Sequence, residues 1–396
     1  MSSDLSPALD WLYSSQMFGI KLGLENITRL LRESECFPPH RTKVIQVVGT
    51  NGKGSTSAFM ESVAQAHGLR VGLFTSPHLI HFSERMRVNG LNIPDQELTE
   101  HLLFFKALVA DWDPHPTFFE LSLAVAMRHF ISSQCELIIL EAGMGGRLDA
   151  TTAVPKDLAV ITPIGLDHQQ YLGDTLSLIA AEKAAIMRQD IPCVSAPQER
   201  EAALTLQQVA SQTRCPLEFV SAPFSGLPLG LAGEHQAWNA ALALEALNTL
   251  LGAGNLRYDS VQAGLEQVQW LGRFQVIQGE DSVTVLDCAH NVPAAQALVA
   301  QWQAQFGDQK AHLIFGAAAD KNISDVLSLL LPLCSSVEVY KLQNPRGEST
   351  ENLQAIVQEL APDCPCAPLE CLAEAQEAPL RLVVGSVFLA GEWLDL

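Results

Sequence analysis

Residues 43–60, KVIQVVGTNGKGSTSAFM, constrain the fold of this chain more than any other stretch. An apolar run of strand length ends at Gly49, two more glycines follow at 52 and 54, and a segment of helical length begins directly afterwards. In a turn of this kind the backbone N–H groups and the helix N-terminus converge on phosphate oxygens, and the glycines let the backbone approach closely. The candidate phosphate site is therefore Gly49, Thr50, Asn51, Gly52, Lys53, Gly54, Ser55 and Thr56. Lys53 can neutralise β and γ phosphates, while Ser55 or Thr56 offers a hydroxyl to Mg²⁺. A plain glycine-rich turn would not need strand, lysine and hydroxyls in one register.

The rest of the chain repeats the alternation. Continuous apolar runs at 43–49, 71–76, 136–143 and 158–165 read as strands buried on both faces of a parallel sheet. Helical segments are expected at 55–67, 95–110, 118–132 and 175–188, the second capped at Pro94-Asp95 and the last at Asp174-Thr175. Residues 235–268 read as purely helical, after which strands resume at 282–289, 311–317, 336–342 and 381–386. The expected class is α/β: a P-loop NTPase-like N-terminal domain with a parallel-rich sheet over 1–270, and a smaller Rossmann-like domain over 271–396.

A chain of 396 residues with 48% apolar composition can bury sizeable cores. Its net charge of −20 repels nucleic acid and anionic membranes, so neither is an expected partner. An anionic ligand must then be held by local cations rather than by the global field. The opening MSSDLSPALDWLYSSQ has no basic stretch leading into an apolar one, and no run is long enough to span a bilayer; the expected location is cytoplasmic. Nine scattered cysteines fit reduced thiols, and the spacing of Cys364, Cys366 and Cys371 is not that of a zinc ribbon.

The phosphate loop is not the common G-x-x-x-x-G-K-[ST] form, because Gly54 separates Lys53 from Ser55. It matches the G-T-x-G-K-[GT]-[ST] loop of Mur-type amide ligases. Further blocks are FGIKLGLENI (18–27), FTSPHLIHFSERMRVNG (74–90), TFFE (117–120), LEAGMGGRLDATT (140–152), ITPIGLDHQQYLG (161–173), EKAAIM (182–187), GRF (272–274) and DCAHN (287–291). With these blocks in order, the chain resembles the dihydrofolate synthase/folylpolyglutamate synthase family of Mur-type ligases. The resemblance implies a two-domain ligase that transfers the ATP γ-phosphoryl group to a pterin- or folate-linked carboxylate. The amine of L-glutamate then attacks the acyl phosphate. The implied substrates are ATP, dihydropteroate, reduced folates and L-glutamate, and the implied state is a monomer.

The same resemblance implies roles for single residues. Ser55, Ser76 and Glu141 would hold the ATP-bound Mg²⁺, and His168 a second Mg²⁺, although imidazole ordinarily prefers softer metals. Lys183 sits among Ala181, Ala184, Ala185 and Ile186, an apolar setting that lowers an amine pKa; the family implies a carbamylated Lys183 that helps hold the second metal. The competing reading of Lys183 is a surface pair with Glu182. Ser76, Pro77 and His78 resemble a loop beside the folate site, with His81 equally readable as a solvated histidine. The pteroate pocket maps onto Thr117, Phe119, Asp149 and Ala150, although Phe118 and Phe119 also suit core packing. Asn239 matches an adenine-side residue, and Arg273, Asp287 and His290 match nucleotide contacts of the second domain.

The chain departs from the family at Val292, which separates Asn291 from Pro293, and at Asn322, which ends an Asp320-Lys321-Asn322 run where an acid is usual. GLDHQQ also lacks the usual hydroxylated partner of the DH pair. Rival readings are a Mur-type ligase acting on a non-folate acceptor, a P-loop regulatory NTPase and a catalytically dead folate binder. RLDATT and the SPH loop favour folate. Lys53, Ser55, Glu141, His168 and Lys183 together argue against a dead site.

Overall fold

The computed structural model describes residues 5–18 and 23–396, so the block at 18–27 falls partly outside the described residues. The chain divides into two compact units. The first takes residues up to Pro77, Phe82–Leu229 and Ala237–Val268; the second takes His78–His81, Gly230–Gln236 and Gln269–Leu396.

Among the described residues, the first unit holds an eight-stranded sheet. Its strands are β1 (Lys43–Val48), β2 (Val71–Phe74), β3 (Met86–Val88), β4 (Leu91–Asn92), β5 (Leu137–Glu141), β6 (Leu158–Ile161), β7 (Cys193–Ser195) and β8 (Leu217–Phe219). Their order is β4-β3-β2-β5-β1-β6-β7-β8. The six strands from β2 to β8 run parallel, and β3 and β4 add an antiparallel edge. Strand β1 lies at the centre with Val44, Ile45, Val47 and Val48 buried, which is why it reads as one continuous apolar run. Register aligns the strand ends: Phe74 faces Leu140, Val47 faces Glu141, and Val48 faces Ile161. The loops leaving β2, β5, β1 and β6 therefore share one edge, the carboxyl edge where open α/β sheets bind ligands.

The helix after β1, Lys53–Ala66, is buried on nearly every side, including Ser55, Thr56, Ser57 and Glu61. It has no solvent face to mark it as amphipathic. Its neighbour, Tyr258–Gln267, approaches so closely that a Cβ on Gly264 would lie 2.7 Å from the Val63 amide nitrogen. Ser62 Oγ donates to the Gly264 carbonyl at 2.7 Å across the same contact. The stretch 235–268, expected to be purely helical, holds two helices, Glu234–Leu251 and Tyr258–Gln267. Gly252 and Gly254 break it with φ of +92° and +80°, conformations that terminate helices. Thr175 caps its helix as expected, accepting from Leu178 N at 3.2 Å, whereas Pro94 makes no side-chain cap.

The second unit's sheet has six strands among the described residues: β9 (Gln275–Gln278), β10 (Val283–Leu286), β11 (Ala311–Phe315), β12 (Cys334–Tyr340), β13 (Cys366–Leu369) and β14 (Leu380–Val384). The order is β13-β12-β11-β14-β10-β9, with only β9 antiparallel. Trp302 and Phe315 are fully buried in its core. No described helix is long and apolar enough to cross a membrane.

A buried cation lies within the first unit. Lys156 Nζ donates to Gln46 Oε1 and, at 3.2 Å, to the Ile186 carbonyl; Gln46 Nε2 in turn donates to Thr151 Oγ1 and Thr152 Oγ1 at 2.8 and 2.7 Å. Burial, reinforced by the charge of Arg188, pushes the Lys156 amine from its ordinary 10.5 down to about 7.

Two outcomes follow from this packing. Gly264→Ala forces two helices apart and costs about 1–3 kcal/mol, read as a lower denaturant midpoint; an unchanged midpoint contradicts the close approach. Between pH 7 and 10.5 the unfolded chain holds a proton on Lys156 that the folded chain lacks, so this residue makes stability rise with pH through that window. Lys156→Met removes that part of the rise, measurable by denaturation at pH 7 and pH 9.

Candidate functional site

The phosphate loop is shaped by what stands behind it. Gly49 has φ +152°, and a Cβ there would collide with the Thr162 side chain just beyond β6, lying 2.9 Å from Thr162 Cβ. Gly52 has φ +84° and caps the helix Lys53–Ala66; a Cβ on it would lie 2.5 Å from Asn239 Oδ1. Both positions thus require glycine, for conformation and for space. The loop is tied down by Thr50 N and Asn51 N, which donate to the Pro163 carbonyl at 2.9 and 3.3 Å. Thr50 Oγ1 adds bonds to the Gly165 carbonyl and amide at 3.1 and 3.0 Å. Lys53 Nζ donates to the Thr50 carbonyl at 3.2 Å, curling over its own loop. Thr56 Oγ1 lies 3.4 Å from Asn239 Oδ1, so Asn239 supports the loop from the helix Glu234–Leu251.

Around this loop the structure gathers other residues singled out in the sequence. Lys183 is buried and donates from Nζ to the Gly49 carbonyl at 2.8 Å. Burial, with the Lys53 charge adding to it, pushes its amine down to about 7, against the pull of Asp167 and Asp149. Lys183 is therefore no surface partner of Glu182, which pairs instead with Arg147 at 3.0 Å. Glu141 ends β5, buried, and accepts from Ser76 N at 3.4 Å. His168 adopts left-handed φ +52° and caps a short helix, Gln169–Leu172, while its backbone N–H donates to Asp167 Oδ1 at 2.9 Å. The glycine cradle and the oxygen donors of Ser55, Ser76 and Glu141 fit a phosphate with a hard divalent cation, the metal class that takes oxygen ligands.

The candidate aryl pocket forms on the same unit. Thr117 and Glu120 make a capping box at the start of helix Phe118–Ser132, with the Thr117 amide and hydroxyl both donating to Glu120 Oε2 at 2.8 and 2.9 Å. Phe118 stacks on Tyr13 at 5.5 Å, and Phe119 tilts against Phe74 at 5.6 Å. The Phe119 ring also fills the space beside Gly143, where a Cβ would lie 2.8 Å from it. Asp149 is buried and accepts from the amides of Gly143, Met144 and Thr151 at 2.9, 3.1 and 3.0 Å and from Thr151 Oγ1 at 2.6 Å. Burial holds its carboxyl above the ordinary range despite those donors. This carboxylate shapes the loop 143–153, and Ala150 packs into the core behind it.

Pro77 follows Ser76 in the first unit, whereas His78 belongs to the second, so the SPH segment straddles the division. The second unit also collects Arg273, Asp287 and His290. Asp287 accepts from Phe274 N and Ala289 N at 2.7 and 2.8 Å; burial raises its carboxyl pKa, and the nearby Arg273 charge opposes the rise. Arg273 Nη1 reaches the Gly272 carbonyl at 3.0 Å, and His290 Nδ1 lies 2.9 Å from the Cys288 carbonyl. His235 is pushed down to about 4 by burial and by Arg273. Asn291 caps the helix Val292–Phe306, and that helix tolerates the inserted Val292 because Pro293 falls in its first turn.

Sequence reasoning passed over Thr162, Asp167 and Gln46. Asp167 was legible as the neighbour of His168, and Gln46 as a polar residue inside an apolar strand. Thr162 carried no signal, because its importance lies in touching Gly49 across the sheet.

Residues 47–193 match the family described as Mur ligase middle domain, and residues 272–387 match Mur ligase, glutamate ligase domain. The chain is 32% identical over 383 residues to the dihydrofolate synthase/folylpolyglutamate synthase of Bacillus subtilis, covering 87% of each. It spans about half the length of related archaeal proteins that are probable bifunctional folylpolyglutamate synthase/dihydropteroate synthases. It is similar to the bifunctional folylpolyglutamate synthase/dihydrofolate synthase of Yersinia pestis complexed with AMPPNP and Mn ion (29% identity, TM-score 0.87, covering 100% and 98% of the two chains). It is equally similar to an Escherichia coli protein in complex with DHPP and ADP (29%, TM-score 0.85, 100% and 98%). A strand-bound glycine loop with a buried lysine on its first carbonyl, on this two-unit frame, belongs with those relatives: the chain is a member of the dihydrofolate synthase/folylpolyglutamate synthase family of Mur ligases and an ATP-dependent ligase.

Proposed function

We propose that the chain joins L-glutamate to dihydropteroate, giving dihydrofolate, and to reduced folates, extending their glutamate chain. The observation that carries this reading is the convergence of the 49–56 loop, Glu141 with Ser76, and Lys183 on one carboxyl edge of the first sheet. In this reading residues 1–270 bind ATP and the pterin, and 271–396 supply the remaining ligase contacts through Arg273, Asp287 and His290. The chain acts as a cytoplasmic monomer.

A carboxylate is a poor electrophile, since its charge repels nucleophiles and oxide is a bad leaving group. Attack of the substrate carboxylate oxygen on the γ-phosphorus of ATP expels ADP and leaves an acyl phosphate. The glutamate amine then adds to the acyl carbon and loses a proton, and inorganic phosphate departs. Both steps bring anions together, so positioning and charge neutralisation dominate. Lys53 and the helix N-terminus it begins hold the phosphates. Thr117, Phe119, Asp149 and Ala150 shape the pterin pocket, and Ser76, Pro77 and His78 border the acceptor.

Two divalent ions would be held by Ser55, Ser76 and Glu141 at one position and by His168 with Lys183 at the other; when bound they supply neutralisation of phosphate charge. A lysine amine is no metal ligand while protonated. Burial draws the Lys183 amine down to about 7, which favours the neutral form, and CO₂ can add to it, releasing a proton and leaving a carbamate oxygen donor.

Two measurements test the proposal. With ¹⁸O in the dihydropteroate carboxyl group, one labelled oxygen should appear in the released phosphate; unlabelled phosphate rules out the acyl phosphate. In CO₂-depleted buffer, added bicarbonate should raise turnover, more strongly at pH 8 than at pH 6 because only the neutral amine reacts. Lys183→Ala should be slower and indifferent to bicarbonate, and wild-type activity equally indifferent would remove the carbamate from the reading.

A further inference from the structure

Helices Asp95–Leu108 and Phe118–Ser132 of the first unit pack together, and three side chains of ligand type meet between them. Glu97 and His101 are one turn apart on the first helix; His129 is on the second. Glu97 Oε1 lies 2.7 Å from His129 Nδ1 and 3.4 Å from His101 Nε2. The three donor atoms all lie within 4.8 Å of one another. Both imidazoles are buried, at 7% and 4% exposure, while Glu97 keeps 33% of its side chain in solvent. At about 1.5 Å rise per residue, His129 is roughly 18 Å along its helix from Thr117, away from the site described above.

A second observation points the same way. His101 Nε2 is buried and makes no well-aligned hydrogen bond, its one polar neighbour being Glu97 Oε1 at 3.4 Å, a condition that native interiors rarely tolerate. Burial holds the His101 pKa below its ordinary value, with the Arg128 and His129 charges adding and Glu97 opposing. Burial pushes the Glu97 pKa up, but the hydrogen bond and charge of His129 outweigh that and hold it below the ordinary carboxylate range. Two imidazoles and one carboxylate, the last partly in solvent, are a donor set that zinc accepts and that magnesium does not favour.

We propose that Glu97 Oε1, His101 Nε2 and His129 Nδ1 form a Zn²⁺ site that ties these two helices together, with water as the fourth ligand. Binding displaces the proton from His129 Nδ1, which the neutral ring then carries on Nε2, and frees the Glu97 oxygen that accepted it for the metal. Arg128 Nε, which donates to His101 Nδ1 at 3.2 Å, yields that nitrogen to a proton when Nε2 takes the metal. The Arg128 guanidinium already lies 3.8 Å over the Phe104 ring, which holds it once the bond is released. Ser132 Oγ, 3.4 Å from Glu97 Oε1, orients the carboxylate from outside.

The test uses the full chain, stripped with chelator and kept in excess Mg²⁺ so that the phosphate site does not compete. Elemental mass spectrometry after gel filtration should find one equivalent of Zn²⁺, and Tm should rise by roughly 4 °C. Co²⁺ in its place should give the visible spectrum of a four-coordinate nitrogen and oxygen site. Glu97→Gln and His129→Gln should each weaken Zn²⁺ by at least about 10-fold, the loss found even for groups that merely orient a ligand. No Zn²⁺ uptake, a thiolate-to-cobalt band from one of the cysteines, or uptake unchanged in both variants overturns the proposal. If His129→Gln does not fold, Glu97→Gln decides alone, because its side chain is partly in solvent and its replacement is isosteric.

Discussion

No side chain fits at either end of the phosphate loop, and this steric limit organises the first unit. Gly49 is pressed against Thr162 and Gly52 against Asn239, so the loop is bounded by a strand on one side and a helix on the other. Those neighbours come from chain segments more than a hundred residues away in the sequence. The contacts that bound the loop therefore include the pairing of β6 with β1 and the packing of the helix Glu234–Leu251. Local sequence makes the turn possible, and tertiary contacts make it specific.

Charge is handled by the same neighbourhood. The chain carries an excess of twenty acids, yet the loop region presents Lys53 and Lys183 with the carboxylates Asp149 and Asp167 near the second of them. Lys183 donates into the Gly49 carbonyl, so the buried amine also fixes the first residue of the loop. Lys156 repeats the arrangement a little further back along β1, where Gln46 passes its hydrogen bonds on to Thr151 and Thr152. Two amines held down to about 7 by burial thus border the central strand. They satisfy backbone and amide oxygens that the apolar sheet would otherwise leave unmet.

Much of this was legible in the sequence, for identifiable reasons. Eight strands announced themselves as apolar runs, most plainly β2, β5, β6 and β11, whose residues are buried throughout. The short strands β3, β4, β7, β8, β9 and β13 did not, since two to four residues at or near a sheet edge carry no period. The purely helical reading of 235–268 missed the interruption at Gly252 and Gly254, where composition outside the glycines stays helical. Lys183 could be read two ways from sequence, as a surface pair or as a buried amine, and only the fold assigns Glu182 to Arg147 and Lys183 to Gly49. Asp149 was read as a group facing a ligand; the structure also commits both of its oxygens to the backbone of its own loop. Glu97, His101 and His129 gave no signal at all, because helix-spaced polar residues look the same whether they converge or point apart.

The contact between Gly264 and Val63 reaches further than its size suggests. The helix Lys53–Ala66 is gripped near its far end by a neighbour with no side chain to yield, and its near end is the phosphate loop. A rod fixed at one end and crowded at the other has few alternative orientations. The loop therefore surrenders little conformational entropy when a nucleotide arrives, and the affinity of this face is set by the freedom that the nucleotide itself gives up.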